Sequence, residues 1–359
     1  MEKRIFQNTL MEIYPSYVKK ALLKKVVADG LVIDEKPKGG QMVLNLNNSI
    51  DVSEYSSIDD KFKHILDSDA ILSIFEDYEY RKPYRHFCYF SYKNLSIEKI
   101  KALTESKELA VFNKSVNQPV DSFENPTVYP LSDQIFFKFS YRLQDDDGHI
   151  IKYVIIAVFD EKNNIFEIRF DRVGIAYKNS YSFYKDKVAT IKSYFEEKIG
   201  VEFSSIDFRA VVDYMKSEKE DVTILAQRMN RNGSTAYLEA YEGDEITIPI
   251  LGELENFVAK NKELFEKNDD TKVIRTELQQ FLKQIEVKSD MPMVKIRIDE
   301  TGVRFGITHD YKDTEYSLFM LYGELIGEEM MHSVKEYLMR CYKELRTAVS
   351  ADSLPEEQA

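Results

Sequence analysis

Apolar and polar positions alternate with two different periods along this chain, and the contrast is sharpest between residues 150 and 200. Residues 149 to 174, HIIKYVIIAVFDEKNNIFEIRFDRVG, form the most apolar and β-branched run, which is the sequence form of a buried strand pair. Residues 160 to 164 interrupt it with turn-forming types. Phe166, Ile168 and Phe170 then alternate with Glu167, Arg169 and Asp171, which predicts a second strand with one face buried and one solvated. After a polar connection, Val188, Ile191, Phe195 and Ile199 recur at helical spacing and Gly200 closes the helix.

The same reading predicts helices near residues 16–28, 61–77, 96–105, 206–217, 252–265, 272–284 and 327–345, and strands near 87–92 and 135–143. Hairpin turns fall near residues 163, 232 and 301, about 69 apart, and each hairpin leads on to a helix. The expected fold class is α+β: antiparallel sheets with helices packed on one face, built from repeated hairpin-then-helix units. Polar, turn-rich residues 47–60 and the proline-containing 113–133 read as boundaries. They divide the chain into a head (1–50), a small α+β segment (60–125), a main domain (133–347) and a disordered tail (348–359).

Charge changes the picture at the head. Residues 1–45 carry eight Lys and Arg against five Asp and Glu, so this segment is about +3 while the whole chain is −13. On the helix at 16–28, Lys19, Lys20, Lys24 and Lys25 are expected to point outward, followed by Gly30 and a hairpin around residues 37–40 that carries Lys36 and Lys38. Helix, glycine stop and basic hairpin in that order resemble the second half of a winged-helix domain, which implies a helix in the major groove and a wing on phosphate.

Composition bounds the rest. The chain has 359 residues, 43% of them apolar, enough for two cores. No apolar window reaches membrane-spanning length and the N-terminus lacks a hydrophobic signal core, so a cytoplasmic protein without membrane contact is expected. Cys88 and Cys341 lie far apart and read as core thiols. The Lys-, Ile-, Tyr- and Phe-rich composition without tryptophan points to an AT-rich bacterial or phage genome, where mobile-element and antiviral defence loci are the expected setting.

Candidate chemistry is sparse. Arg81, Lys82 and Arg85 lie beside tyrosines and form a candidate phosphate or stacking surface. Arg81 and His86 have the R-x4-6-H spacing that resembles HEPN-type ribonucleases, but Pro83 and the strand after it oppose the helical geometry that motif needs. Asp160, Glu167 and Arg169 loosely resemble the acid and Glu-x-Lys set of PD-(D/E)xK nucleases, with arginine in the lysine position; cross-strand pairing on a solvated face explains them as well. There is no P-loop, dinucleotide-binding glycine motif, His-Glu-x-x-His, nucleophile elbow or paired-cysteine set. The expectation is a non-enzymatic accessory or regulatory protein that binds DNA, RNA or a protein partner, with no catalytic residues, cofactor or metal. Its rivals are a divergent metal-dependent nuclease and a purely structural interaction module.

Overall fold

The computed structural model describes residues 2–34, 49–113, 120–131, 133–178, 180–240, 249–287, 289–325, 327 and 329–352. The chain divides into two compact units, residues 1–206 with 325–330, and residues 207–324 with 331–359. The boundaries expected near residues 50 and 125 both fall inside the first unit.

The first unit opens with helices α1 (Glu2–Glu12) and α2 (Ser16–Ala28), separated by Pro15, then short strands β1 (Val32–Ile33) and β2 (Ile50–Asp51). Helices α3 (Ile58–Ile65) and α4 (Asp69–Arg81) follow, then β3 (His86–Lys93), α5 (Ile97–Glu105), β4 (Ala110–Val111), β5 (Thr127–Pro130), β6 (Gln134–Gln144), β7 (Ile150–Asp160), β8 (Ile165–Phe170), α6 (Phe183–Lys198) and β9 (Glu202–Ser205). Its sheet runs β4-β5-β6-β7-β8-β3 with β9 on β3, antiparallel except for β4 and β5. Leu22, Val26, Val32, Val52, Phe62, Ile65 and Phe75 share one apolar cluster, so α2 packs with α3 and α4 in a common core. The winged-helix expectation gains no support. Strands β1 and β2 are parallel, and the expected wing with Lys36 and Lys38 lies outside the described residues.

The second unit contains α7 (Phe208–Glu218), β10 (Val222–Arg231), β11 (Ser234–Glu239), α8 (Pro249–Lys260), α9 (Lys262–Phe265), α10 (Asp269–Val287), β12 (Asp290–Ile298), β13 (Arg304–Thr308), β14 (Leu318–Leu321) and most of α11 (Glu329–Asp352). Its strands are antiparallel in the order β11-β10-β12-β13-β14. Asp207 starts α7 by accepting from the amides of Arg209 and Ala210, which satisfies two donors that a helix start leaves open. On α11, Met331, Val334, Leu338 and Cys341 are buried and form one apolar stripe at helical spacing.

All three expected hairpins form. Asn232 and Gly233 take left-handed conformations (φ 49° and 76°), the geometry that a two-residue turn matched to strand twist demands. Gly200 (φ 82°) ends α6 in the same region. The hairpins do not share an environment, however: β7 and β8 are buried almost throughout, whereas β11 alternates between exposed and half-buried, so an even spacing is not matched by a repeated packing unit.

Two expectations are corrected by the sheet of the first unit. Helices cover both of its faces. On one face Phe195 of α6 meets Phe137, Phe159 and Phe166 with ring centroids 4.8, 5.0 and 5.3 Å away. The other carries Lys138, Ser140, Lys152, Glu167 and Arg169, and α4 and α1 cover it. Glu167 and Arg169 are therefore buried and paired with each other at 2.7 Å, where a solvated strand face was expected. Alternation along β8 reported two faces correctly; it carried no information about what the rest of the chain lays over the polar one.

Candidate functional site

A buried cluster of five charged side chains lies between α4 and this polar sheet face. Glu76 and Glu79, three residues apart, share one face of α4. Lys138 on β6 and Lys152 on β7 point at them from the sheet. The Lys138 Nζ lies 2.9 Å from Glu76 Oε1, 3.2 Å from Glu79 Oε2 and 3.3 Å from Asp121 Oδ2. Lys152 Nζ donates to Glu79 at 2.8 Å and to Asp121. Ser140 Oγ donates to Asp121 at 2.7 Å, the Val120 amide to Glu76 at 2.8 Å, and the Tyr14 hydroxyl to Glu79 at 3.3 Å. None of the five charged side chains is more than 10% exposed.

Burial and charge act on these groups in opposite directions. Burial holds the Glu76 carboxyl above its usual range, against the pull of Lys138. Burial also pushes Asp121 up, but Lys138, Lys152 and two hydrogen bonds outweigh it and hold Asp121 well below the carboxylate range. Lys138 loses by desolvation and gains more from Asp121, Glu76 and Glu79, so it stays charged. The network orients charges rigidly in a low-dielectric interior, where a lysine amine is kept protonated and one carboxyl is disposed to hold a proton.

Sequence reasoning did not single out this cluster, yet a signal was present. Lys138 sits inside IFFKF and Lys152 inside IIKYVII, runs predicted to be buried. A cation in such a run requires a buried counter-charge. Asp121, read as part of a boundary segment, supplies one.

The predicted cationic residues have varied surroundings. Lys19 is buried against Asp59 at 2.7 Å and donates to the Met11 carbonyl. Lys25 and Arg81 both engage Asp77, and Lys82 is buried against Asp171 and over the Tyr84 ring. Arg85 is half-buried, while Lys20 and Lys24 are exposed on α2. The structure thus does not gather the seven described residues into one exposed patch, and Lys36 and Lys38 lie outside the described residues. Of the nuclease-like set, buried Asp160 accepts from Gln134 at 3.1 Å and from the Asn163 amide at 3.0 Å, while Glu167 is held by Arg169. Among the described residues no group of three or more His, Cys, Asp or Glu side chains is placed to hold a metal, and no helix is long and apolar enough to cross a membrane.

In the second unit, His309 borders a cavity of about 510 Å³ together with Arg209, Lys216, Gln227 and Asp290. Its Nδ1 lies 3.0 Å from Ser317 Oγ. Burial, aided by Arg209, lowers its pKa to about 4. Because the folded value lies below the unfolded one of about 6.5, the unfolded chain takes the proton first. This contribution to stability is complete above pH ~6.5 and is lost as the pH falls towards 4, by about 3 kcal/mol for a shift of that size. Urea unfolding at pH 7 and pH 4.5, followed by circular dichroism, should therefore show a smaller acid loss for His309→Gln than for the wild type. Equal losses would mean that His309 is protonated in the fold.

The chain matches no protein-family model and no curated protein sequence.

Proposed function

We propose that this chain is a non-catalytic accessory or regulatory protein that acts by binding a protein partner through the helical segment of its second unit. One observation supports this reading above others: the exposed large apolar side chains of that unit are concentrated between residues 237 and 281. Phe257, Leu264, Ile274 and Phe281 are 57%, 63%, 55% and 56% exposed. Such a concentration costs solubility and marks a binding surface more often than a free one. On α10, Ile274, Leu278, Phe281 and Ile285 follow four-three-four spacing, the seam of a two-stranded coiled coil, and Leu282 is buried on the inner side. The occupant that fits is an amphipathic helix of another protein, laid along a helix of 19 residues, about 28 Å.

Ile274→Asp with Phe281→Asp is the test. Quantitative capture from cells that naturally make the protein should retain a stoichiometric partner on the wild type and lose it about tenfold in the variant, with unchanged circular dichroism. Identical capture by both proteins would overturn the proposal, and concentration-dependent self-association of the wild type alone would replace the partner with a second copy.

A nucleic-acid role is the second reading. Its support is the exposure of Lys20 and Lys24, one turn apart on α2. Fluorescence anisotropy over a salt series, with both lysines changed to Glu, separates the two, since phosphate contact weakens steeply with salt. The bacterial mobile-element or defence setting belongs to the same proposal and rests on composition alone.

A further inference from the structure

One face of the sheet in the second unit is packed. Val294, Ile296, Phe305 and Ile307 are buried on it, and α7 lays Phe208 against Phe319 there with ring centroids 4.9 Å apart and Lys216 against Gln227 at 3.3 Å. Arg228, Lys295, Arg297 and Arg304 alternate with these residues, point to the opposite face and are half-buried or exposed. That face is basic in a chain of net charge −13. Lys295 has Glu239 at 3.7 Å and Arg297 has Asp299 at 2.8 Å, whereas Arg228 and Arg304 are exposed and make no ion pair among the described residues. Arg304 is the register partner of Arg297, and like charges directly opposite on neighbouring strands destabilise a sheet, so this pair lacks a second counter-anion.

Register sets three of these cations in a line. Arg228 pairs with Met293, two residues before Lys295, and Lys295 pairs with Gly306, two residues from Arg304. Each step is one strand across and two residues along, about 8 Å between Cα atoms, so the stripe crosses the face diagonally over about 17 Å. A single phosphate cannot meet cations spread so far; a chain of phosphates can. Tyr237, the register partner of Arg228, is 52% exposed beside the start of the stripe. The Tyr322 ring lies across Gly306, where an added Cβ would come within 2.8 Å of its hydroxyl, and Lys295 lies over it at 4.8 Å, so Tyr322 is floor and Tyr237 is the ring left open for stacking.

We propose that this sheet face binds a single strand of nucleic acid, its phosphates along Arg228, Lys295 and Arg304 and one base on Tyr237. The charge pattern is complementary to a polyanion, and an exposed tyrosine beside it adds stacking that any unpaired base supplies. A duplex keeps its bases stacked on one another and offers Tyr237 none; an acidic peptide meets the cations and leaves the ring unused. The site shares no residue with the apolar face of α10 or the lysines of α2, so it depends on neither reading given above.

Fluorescence anisotropy of the full chain with labelled RNA and DNA single strands of about 12 nucleotides, over a salt series, tests the proposal. Saturable binding of either strand is expected, the tighter one identifying the sugar. Three phosphate contacts give a slope of about −2 for log affinity against log salt. Arg228→Gln with Arg304→Gln should weaken binding at least about tenfold at low salt and bring the slope to about −1 or shallower. Tyr237→Ala should weaken it about fivefold or more at unchanged slope, and Tyr237→Phe should bind as the wild type does. Changing Lys20 and Lys24 to Glu should leave this binding intact. The three substituted positions on the sheet are exposed, so circular dichroism should be unchanged. No salt-dependent binding of either strand would overturn the proposal, as would equal affinity for duplex DNA or polyglutamate, or unchanged binding by the arginine variant.

Discussion

Lys138→Met is expected to destabilise the protein by about 3–5 kcal/mol, the range for removing one partner from a buried ion network. The loss comes less from the missing attraction than from what remains: Glu76, Glu79 and Asp121 would face Lys152 alone, in a site that water does not reach. Adding Glu76→Gln to Lys138→Met removes one of those uncompensated charges. The double variant should therefore recover at least about 1 kcal/mol relative to additivity. Urea unfolding followed by far-ultraviolet circular dichroism measures both, since the chain has no tryptophan to report by fluorescence. A cost below about 1 kcal/mol for the single substitution would mean that solvent enters the network and that the interior described here is wet.

Phe195→Ala should cost a similar amount, about 3–5 kcal/mol, for an unrelated reason. Phe195 is the point at which α6 meets the sheet. Its ring lies 4.8 to 5.9 Å from those of Phe137, Phe139, Phe159 and Phe166, mostly edge to face. Removing it leaves a cavity walled by rings on strands β6, β7 and β8, whose backbones are fixed by the ladder and cannot close in. Phe195→Leu fills part of that space and should cost less than half as much. Both variants should lower the urea midpoint without changing secondary structure at low denaturant. An alanine cost near 1 kcal/mol would show that the sheet face relaxes around the gap.

The two substitutions probe opposite faces of one sheet, and the faces differed in how far sequence disclosed them. The aromatic face was legible. Phe166, Ile168 and Phe170 alternate on a strand, Val188, Ile191 and Phe195 recur on the next long helix, and both sets are buried, with Phe166 and Phe195 in ring contact, because consecutive elements pack on one another and the apolar side of the strands just made is the surface at hand. The polar face was misread as solvated. Glu167 and Arg169 look the same in sequence whether water or protein lies above them, and α1 and α4, which cover Lys138 and Lys152 on the same face, end more than 80 residues before β8 begins.

Local chemistry, then, determined most of the elements. The run at 150–170, the Asn232-Gly233 turn, the start of α5, where the Ser96 hydroxyl accepts from the Lys99 amide, and the stripe on α11 are each fixed by interactions within a few residues, so periodicity and turn chemistry reveal them. Tertiary structure alone decided which charges are exposed. Lys19, Lys25, Arg81 and Lys82, read as a basic surface, are engaged by Asp59, Asp77 and Asp171, of which Asp59 and Asp171 lie 40 and 89 residues from the lysines they hold. Lys138 and Lys152 acquired three carboxyl partners in the same way. A charge is stabilised by whatever the fold places within a few ångströms of it, and sequence separation carries no record of that distance.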